Sequence, residues 1–243
     1  MKLNKLILAN NDCYKAGKKI TVKGIMVHST GANNPWLKRY LPDDGKIGKN
    51  QYGNHWNTAR PGGIQVCVHG FIGKLADGSV ATYQTLPWNH RGWHAGGSAN
   101  NTHIGFEICE DGLNDATYFN AVYKEAVELC AYLCKEYGLT EKDIICHSEG
   151  YKKGIASNHG DVMHWFPKHG KSMDTFRSDV KKLLSGNITA AVTELTTVND
   201  IVWELAHRGI ISDSALWLKK LEEDTNSYWL ARKTANYLRN KNV

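Results

Sequence analysis

The 243-residue sequence has no apolar run long enough to span a bilayer, so no membrane-inserted segment is expected. Its first apolar stretch, Leu6-Ile7-Leu8-Ala9, is also too short for the core of a signal peptide, and Asn10-Asn11-Asp12 ends it. Synthesis in the cytoplasm without a cleavable leader is the resulting expectation. The six cysteines include no CxxC pair. In a reducing compartment a disulfide framework is not expected, and most of them are read as small buried hydrophobes. The metalloprotease motif HExxH is missing, and so is the serine elbow GxSxG. Cys146 stands beside His147, but neighbours on a strand point to opposite faces, which argues against a thiol nucleophile there. No basic block or nucleic-acid motif accompanies the net charge of +6, so nucleic acid is not an expected partner. Residues 187–243 hold seven basic and seven acidic side chains, so the positive excess lies in the first 186. Such a field suits an anionic polymer such as cell wall.

What is present reads as a mixed α/β domain followed by a small helical module. Residues 22–27 form a strand ending at His28-Ser29-Thr30-Gly31, and 66–72 form another. Asp77-Gly78 turns a hairpin into a strand over 80–85. Residues 104–109 are a strand whose apolar run is interrupted by Glu107, and 142–146 are a further strand. Residues 33–53 are polar and aperiodic and read as a long surface loop with one helical turn. Amphipathic helices are expected over 117–137, stopped by Gly138, and over 173–184. Cys130 and Cys134 share one face of the first. The domain boundaries follow as 1–184, a linker over 185–197, and a helical module over 198–243. Helices are expected from about 199 to 207 with a stop at Gly209, from Ser212, and over 227–238. Trp203, Trp217 and Trp229 recur through them and are read as the module's core, against a partner-binding surface as the sharper reading. Eight tryptophans exceed ordinary packing needs, and sugar- or peptide-binding surfaces are one use for them.

The chemistry concentrates in His147-Ser-Glu-Gly-Tyr-Lys-Lys-Gly-Ile-Ala-Ser-Asn-His159-Gly-Asp161. Two imidazoles and a carboxylate in one short connection after a strand suit a borderline divalent metal, above all zinc. Hydrolysis of an unactivated amide needs a strong nucleophile and an electrophile, and a zinc ion with three protein ligands and an open position provides both. His28, His147 and Asp161 are the candidate ligands. Glu107 is the candidate base, because a carboxylate in an apolar strand is costly unless it is paired or functional. His159, two residues before Asp161, is a candidate oxyanion donor. Trp93 and His94, in a loop rich in His, Trp and Gly, are candidate substrate contacts. The imidazoles of His55, His69, His90, His103, His164 and His169 are read as structural or surface groups.

Four segments, Ile25-Met26-Val27-His28-Ser29-Thr30, Trp93-His94-Ala95-Gly96, Ile104-Gly105-Phe106-Glu107, and His147 with Asn158-His159-Gly160-Asp161, resemble in this order the type 2 N-acetylmuramoyl-L-alanine amidases. This family includes phage endolysins and autolysins and is related to peptidoglycan recognition proteins. The resemblance covers about residues 20–184. It implies a mixed sheet flanked by helices, with zinc held by His28, His147 and Asp161 in a groove that takes peptidoglycan, and Glu107 as catalytic acid/base. Some relatives carry lysine at the position of His159 and others cysteine at that of Asp161. The first difference makes the oxyanion role pH-dependent here, since an imidazole exchanges its charge near neutrality. The segment from Trp203 to Trp217 resembles short C-terminal pieces of cell-wall enzymes from Gram-positive bacteria and their phages, which implies a wall-binding role. Two other readings stand beside the amidase: a peptidoglycan-binding module without catalysis, and a zinc peptidase acting within the stem peptide. A complete ligand set together with Glu107 is what a pure binder has no chemical need to keep.

Overall fold

Alternation along the strands decides what faces the site. The computed structural model describes residue 1 and residues 3–185, 198–207 and 210–241. Six strands, β1 (Leu3–Lys5), β2 (Gly24–Ser29), β3 (Gly70–Lys74), β4 (Val80–Gln84), β5 (His103–Ile108) and β6 (Ile144–Cys146), form one sheet in the order β1-β4-β3-β5-β2-β6. β3 and β4 are antiparallel across the Asp77-Gly78 turn, and the other neighbours are parallel. The sheet is therefore mixed, as expected. Ile25 and Val27 of β2 and Ile104, Phe106 and Ile108 of β5 enter one core. The intervening residues, Met26 and His28, Gly105 and Glu107, leave the sheet on the opposite face.

The first core is closed by α2 (Ala116–Tyr137) and α4 (Met173–Leu184). Asp115 caps α2 by accepting from the Tyr118 amide, and Gly138 ends it in the left-handed conformation. Phe119, Phe166, Phe176 and Trp165 are fully buried between helices and sheet, each contributing roughly 1.5–3 kcal/mol by burial. The opposite face is only partly covered. Leu37, Tyr40, Leu41 and Ile47 pack on Phe71 and Tyr83, so the stretch 33–53, expected as a surface loop, contributes buried side chains as well as its short turn Leu37–Arg39.

Three further departures concern single segments or pairs of residues. The strand expected from Val66 begins only at Gly70. Residues before it are diverted, with Cys67 bridging to Trp93 and the buried His69 bonded inward. Cys67 is also joined by a disulfide to Cys13 of α1 (Asp12–Ala16), a pairing that the expectation against a disulfide framework did not anticipate. Cys109, Cys130, Cys134 and Cys146 are free and buried. Finally, the connection after β6 opens with a short helix, α3 (His147–Lys152), rather than a loop, and His147 is its first residue.

The chain divides into two compact units, Met1–Ser185 and Gly186–Val243. In the second, α5 (Val198–His207), α6 (Ser214–Glu223) and α7 (Thr225–Lys241) share a core of Ile201, Val202, Leu205, Leu221, Ala231 and Ala235. Trp217 packs partly against it, whereas Trp229 is 49% exposed and does not belong to the core expected of it. The side chain of Trp203, the stop at Gly209 and the linker beyond Ser185 lie outside the described residues. No helix among the described residues is long and apolar enough to cross a membrane.

Candidate metal centre and groove

The open face of the sheet carries a groove of about 560 Å³ at the carboxyl ends of β2, β5 and β6. In sheets with parallel strands this is where ligands can approach, because the chain leaves the strands there in separate directions. His28 comes from the end of β2, Glu107 from β5, His147 from the start of α3, and Asp161 from the following loop; all four line the groove. Among the described residues, His28, His147 and Asp161 form the one group of three with donor atoms close enough to share an ion, all within 4.8 Å of one another. His28 Nδ1 lies 3.0 Å from Asp161 Oδ2 and 3.1 Å from His147 Nδ1, and His147 Nδ1 lies 3.7 Å from Asp161 Oδ1. Donors about 2 Å from a tetrahedral ion stand about 3.3 Å apart, so the spacing fits such an ion.

Proton positions make the same point. His94 Nε2 lies 3.2 Å from the His103 carbonyl, which can only accept, so that nitrogen carries the proton. His94 Nδ1 is then the acceptor, and His28 Nε2 donates to it across 2.9 Å. Ser157 Oγ donates to the Ala95 carbonyl at 3.3 Å and accepts from His147 Nε2 at 3.2 Å. Both candidate imidazoles thus turn Nδ1 lone pairs toward the Asp161 carboxylate. Lone pairs converging at such distances suit a cation between them.

The electrostatics follow from burial. Burial and the neighbouring His28 pull His147 down to about 4, which keeps its imidazole neutral. Glu107 is pushed well above the usual carboxylate range, first by burial and then by Asp161 and Glu110. Its Oε2 is buried without a hydrogen-bond partner. A carboxyl in this state is poised to hold or pass a proton.

His159 is exposed on the groove side and stacks on His147, with ring centroids 4.6 Å apart. Trp93 lines the groove with the Arg91 guanidinium 4.5 Å over its ring. His94 borders the groove as well, but both its ring nitrogens are taken by protein partners. His164, read as an ordinary imidazole, lies in the groove wall and bonds through Nε2 to the buried Glu110 at 2.9 Å. Sequence reasoning missed Glu110, which follows the end of β5, and Ser157, whose only signal was its place between His147 and Asp161. His69 is buried and bonded to His90 and Gly105, and His169 stacks on Phe119. Neither is in the three-residue donor group.

A mixed sheet with a His/His/Asp donor set and a half-buried glutamate at its open face is the kind of site that suits hydrolysis of an amide. The chain belongs to the N-acetylmuramoyl-L-alanine amidase family, whose model matches residues 18–164. A probable N-acetylmuramoyl-L-alanine amidase of Bacillus licheniformis is 33% identical over 100 residues. That match covers 41% of this chain, and the chain spans about a quarter of the relative's length, the share being 25%. The fold is shared with PlyL, at 19% identity and a TM-score of 0.51, over 74% of this chain and 98% of that one. It is also shared with the Staphylococcus aureus hydrolase AmiA, whose structure holds its ligand, at 17% identity and a TM-score of 0.54, over 77% and 85%.

Proposed function

We propose that this chain is a zinc-dependent amidase that cuts the bond between the lactyl group of N-acetylmuramic acid and the L-alanine of the stem peptide in peptidoglycan. One observation carries the reading: three donor atoms of His28, His147 and Asp161 converge beside a glutamate whose Oε2 is buried without a hydrogen-bond partner, in a member of an amidase family. Zinc bound at such a site supplies Lewis acidity toward the carbonyl and lowers the pKa of water to about 7. His28, His147 and Asp161 are the residues that hold it.

Glu107 takes the proton of the attacking water and returns it to the leaving amine, for which its raised proton affinity suits it. His159, exposed above His147, donates to the oxygen that gains charge as the carbonyl is attacked. The Trp93 ring offers a flat apolar wall for sugar or peptide. The site of action is the cell wall, Gram-positive in our reading, as an endolysin or autolysin, with the helical unit serving to bind wall.

The test is metal restoration on purified peptidoglycan, followed by labelling of new amino termini. Zinc-loaded protein is expected to release new L-alanine termini, and stripped protein none. A zinc-loaded protein that releases no new termini from walls of several species would leave only a binding module.

A further inference from the structure

The loop Trp93-His94-Ala95-Gly96 looks at first like part of the substrate wall. Its bonds point the other way, into the protein behind the donor set. His94 packs tightly on β5: a Cβ on Gly105 would stand only 2.4–2.5 Å from three atoms of the His94 ring, so only glycine at that position leaves room for the imidazole. Its Nε2–H is held by the His103 carbonyl at the start of β5, and its Nδ1 receives the Nε2–H of His28. The Asn100 side-chain oxygen accepts from the amides of both His94 and Ala95, each at 2.8 Å, which fixes the loop backbone. The next carbonyl along, that of Ala95, receives the Ser157 hydroxyl and so turns the Ser157 lone pairs toward His147 Nε2–H. The Ser157 amide donates to the same carbonyl at 2.8 Å. At Gly96 a Cβ would clash with the Ser157 side chain, and the backbone there is left-handed at φ +62°.

We propose that this loop sets the tautomers of both imidazole ligands: His94 and Ser157 are positioning residues that keep Nδ1 of His28 and of His147 bare for the metal. The proposal rests on the reading that the site holds zinc and adds what prepares it. Two neighbouring residues of one loop, His94 by its ring and Ala95 by its carbonyl, thereby control two ligands that are 119 positions apart in sequence. Without an acceptor behind it, a neutral imidazole is free to place its proton on Nδ1 and lose the ligand lone pair. A substrate-contact role for the His94 nitrogens is displaced by this assignment, since neither faces outward unbonded.

The test uses the full chain, zinc as the probe, and two readouts besides activity. The first is zinc affinity by competition with a chromophoric chelator, for wild type, His94→Ala and Ser157→Ala. The second is the histidine tautomer pattern from nitrogen-15 NMR of the zinc-loaded wild type. Zinc affinity is expected to fall about 10–100-fold in each variant. In the wild type, two zinc-bound histidines are expected to carry their proton on Nε2. Variants that bind zinc within twofold of wild type, or a wild type with zinc on Nε2 of these histidines, would overturn the proposal while leaving the metal site intact. A wild type that binds no zinc would overturn the underlying reading and this proposal together. Should His94→Ala fail to fold, Ser157→Ala and the wild-type spectrum decide the matter alone.

Discussion

His28 and Glu107 are register partners: on the adjacent parallel strands β2 and β5 their Cα atoms lie opposite one another. Their side chains therefore leave the sheet side by side on the open face, while Val27 and Phe106, one residue earlier, enter the core together. This pairing brings the proposed ligand and the proposed acid/base group into one groove from residues 79 positions apart, and it relies on no loop conformation.

Replacing Glu107 by glutamine keeps shape but removes proton transfer. We expect kcat on a soluble muropeptide to fall by about 10²–10⁴, with zinc still bound one per chain. The replacement also removes a buried carboxyl without a partner at Oε2, so thermal stability should hold or rise. Loss of zinc in step with activity would place Glu107 in the metal site instead.

His159→Lys exchanges an imidazole for an ammonium over the face of the His147 ring. The lysine keeps its charge through the neutral range, so the variant should retain part of the activity and show a flatter alkaline limb in its pH–rate profile. An unchanged profile at similar activity would remove His159 from the reaction.

Burial holds His69 down at about 4, against the backbone hydrogen bonds that favour its charge. The folded protein thus keeps this imidazole neutral, while the unfolded chain binds a proton near pH 6.5. Between those values the unfolded state holds more protons, so stability falls as pH is lowered. His69→Gln should be less stable than wild type at neutral pH. The gap should narrow by about 2 kcal/mol between about pH 7 and pH 5, read from denaturant unfolding at both pH values. A gap that does not change would show that His69 is not neutral in the fold.

Deleting residues 187–243 leaves the first unit with its own core. The shortened chain should cleave small soluble muropeptides at the full-length rate but bind less to whole walls in a pelleting assay. Equal wall binding would take the helical unit out of targeting.

Much of this site was legible because it obeys short-range rules. Glu107 reads as an interruption of an apolar run, and alternation turns that interruption into the open face of β5. The amphipathic stripe and Gly138 located α2 to within a residue, and α4 fell where its periodicity put it, behind the Ser172 cap. What stayed hidden depends on contacts between distant segments. Nothing local says that His94 turns its ring behind His28, because the space for it is made by Gly105 on another strand. The Cys13–Cys67 bond likewise joins residues 54 apart and cannot be read from spacing alone. Trp229 shows the opposite error, an aromatic assigned to a core on periodicity that the three helices leave half exposed.

The most direct measurement is mass spectrometry of the soluble products from purified peptidoglycan, with wild type and Glu107→Gln, each with and without a zinc chelator. We expect zinc-loaded wild type to give peptide-free glycan and intact stem peptides beginning with L-alanine, and the other three samples to give almost none. Fragments cut within the stem peptide would contradict the amidase assignment, leaving a peptidase on the same metal site.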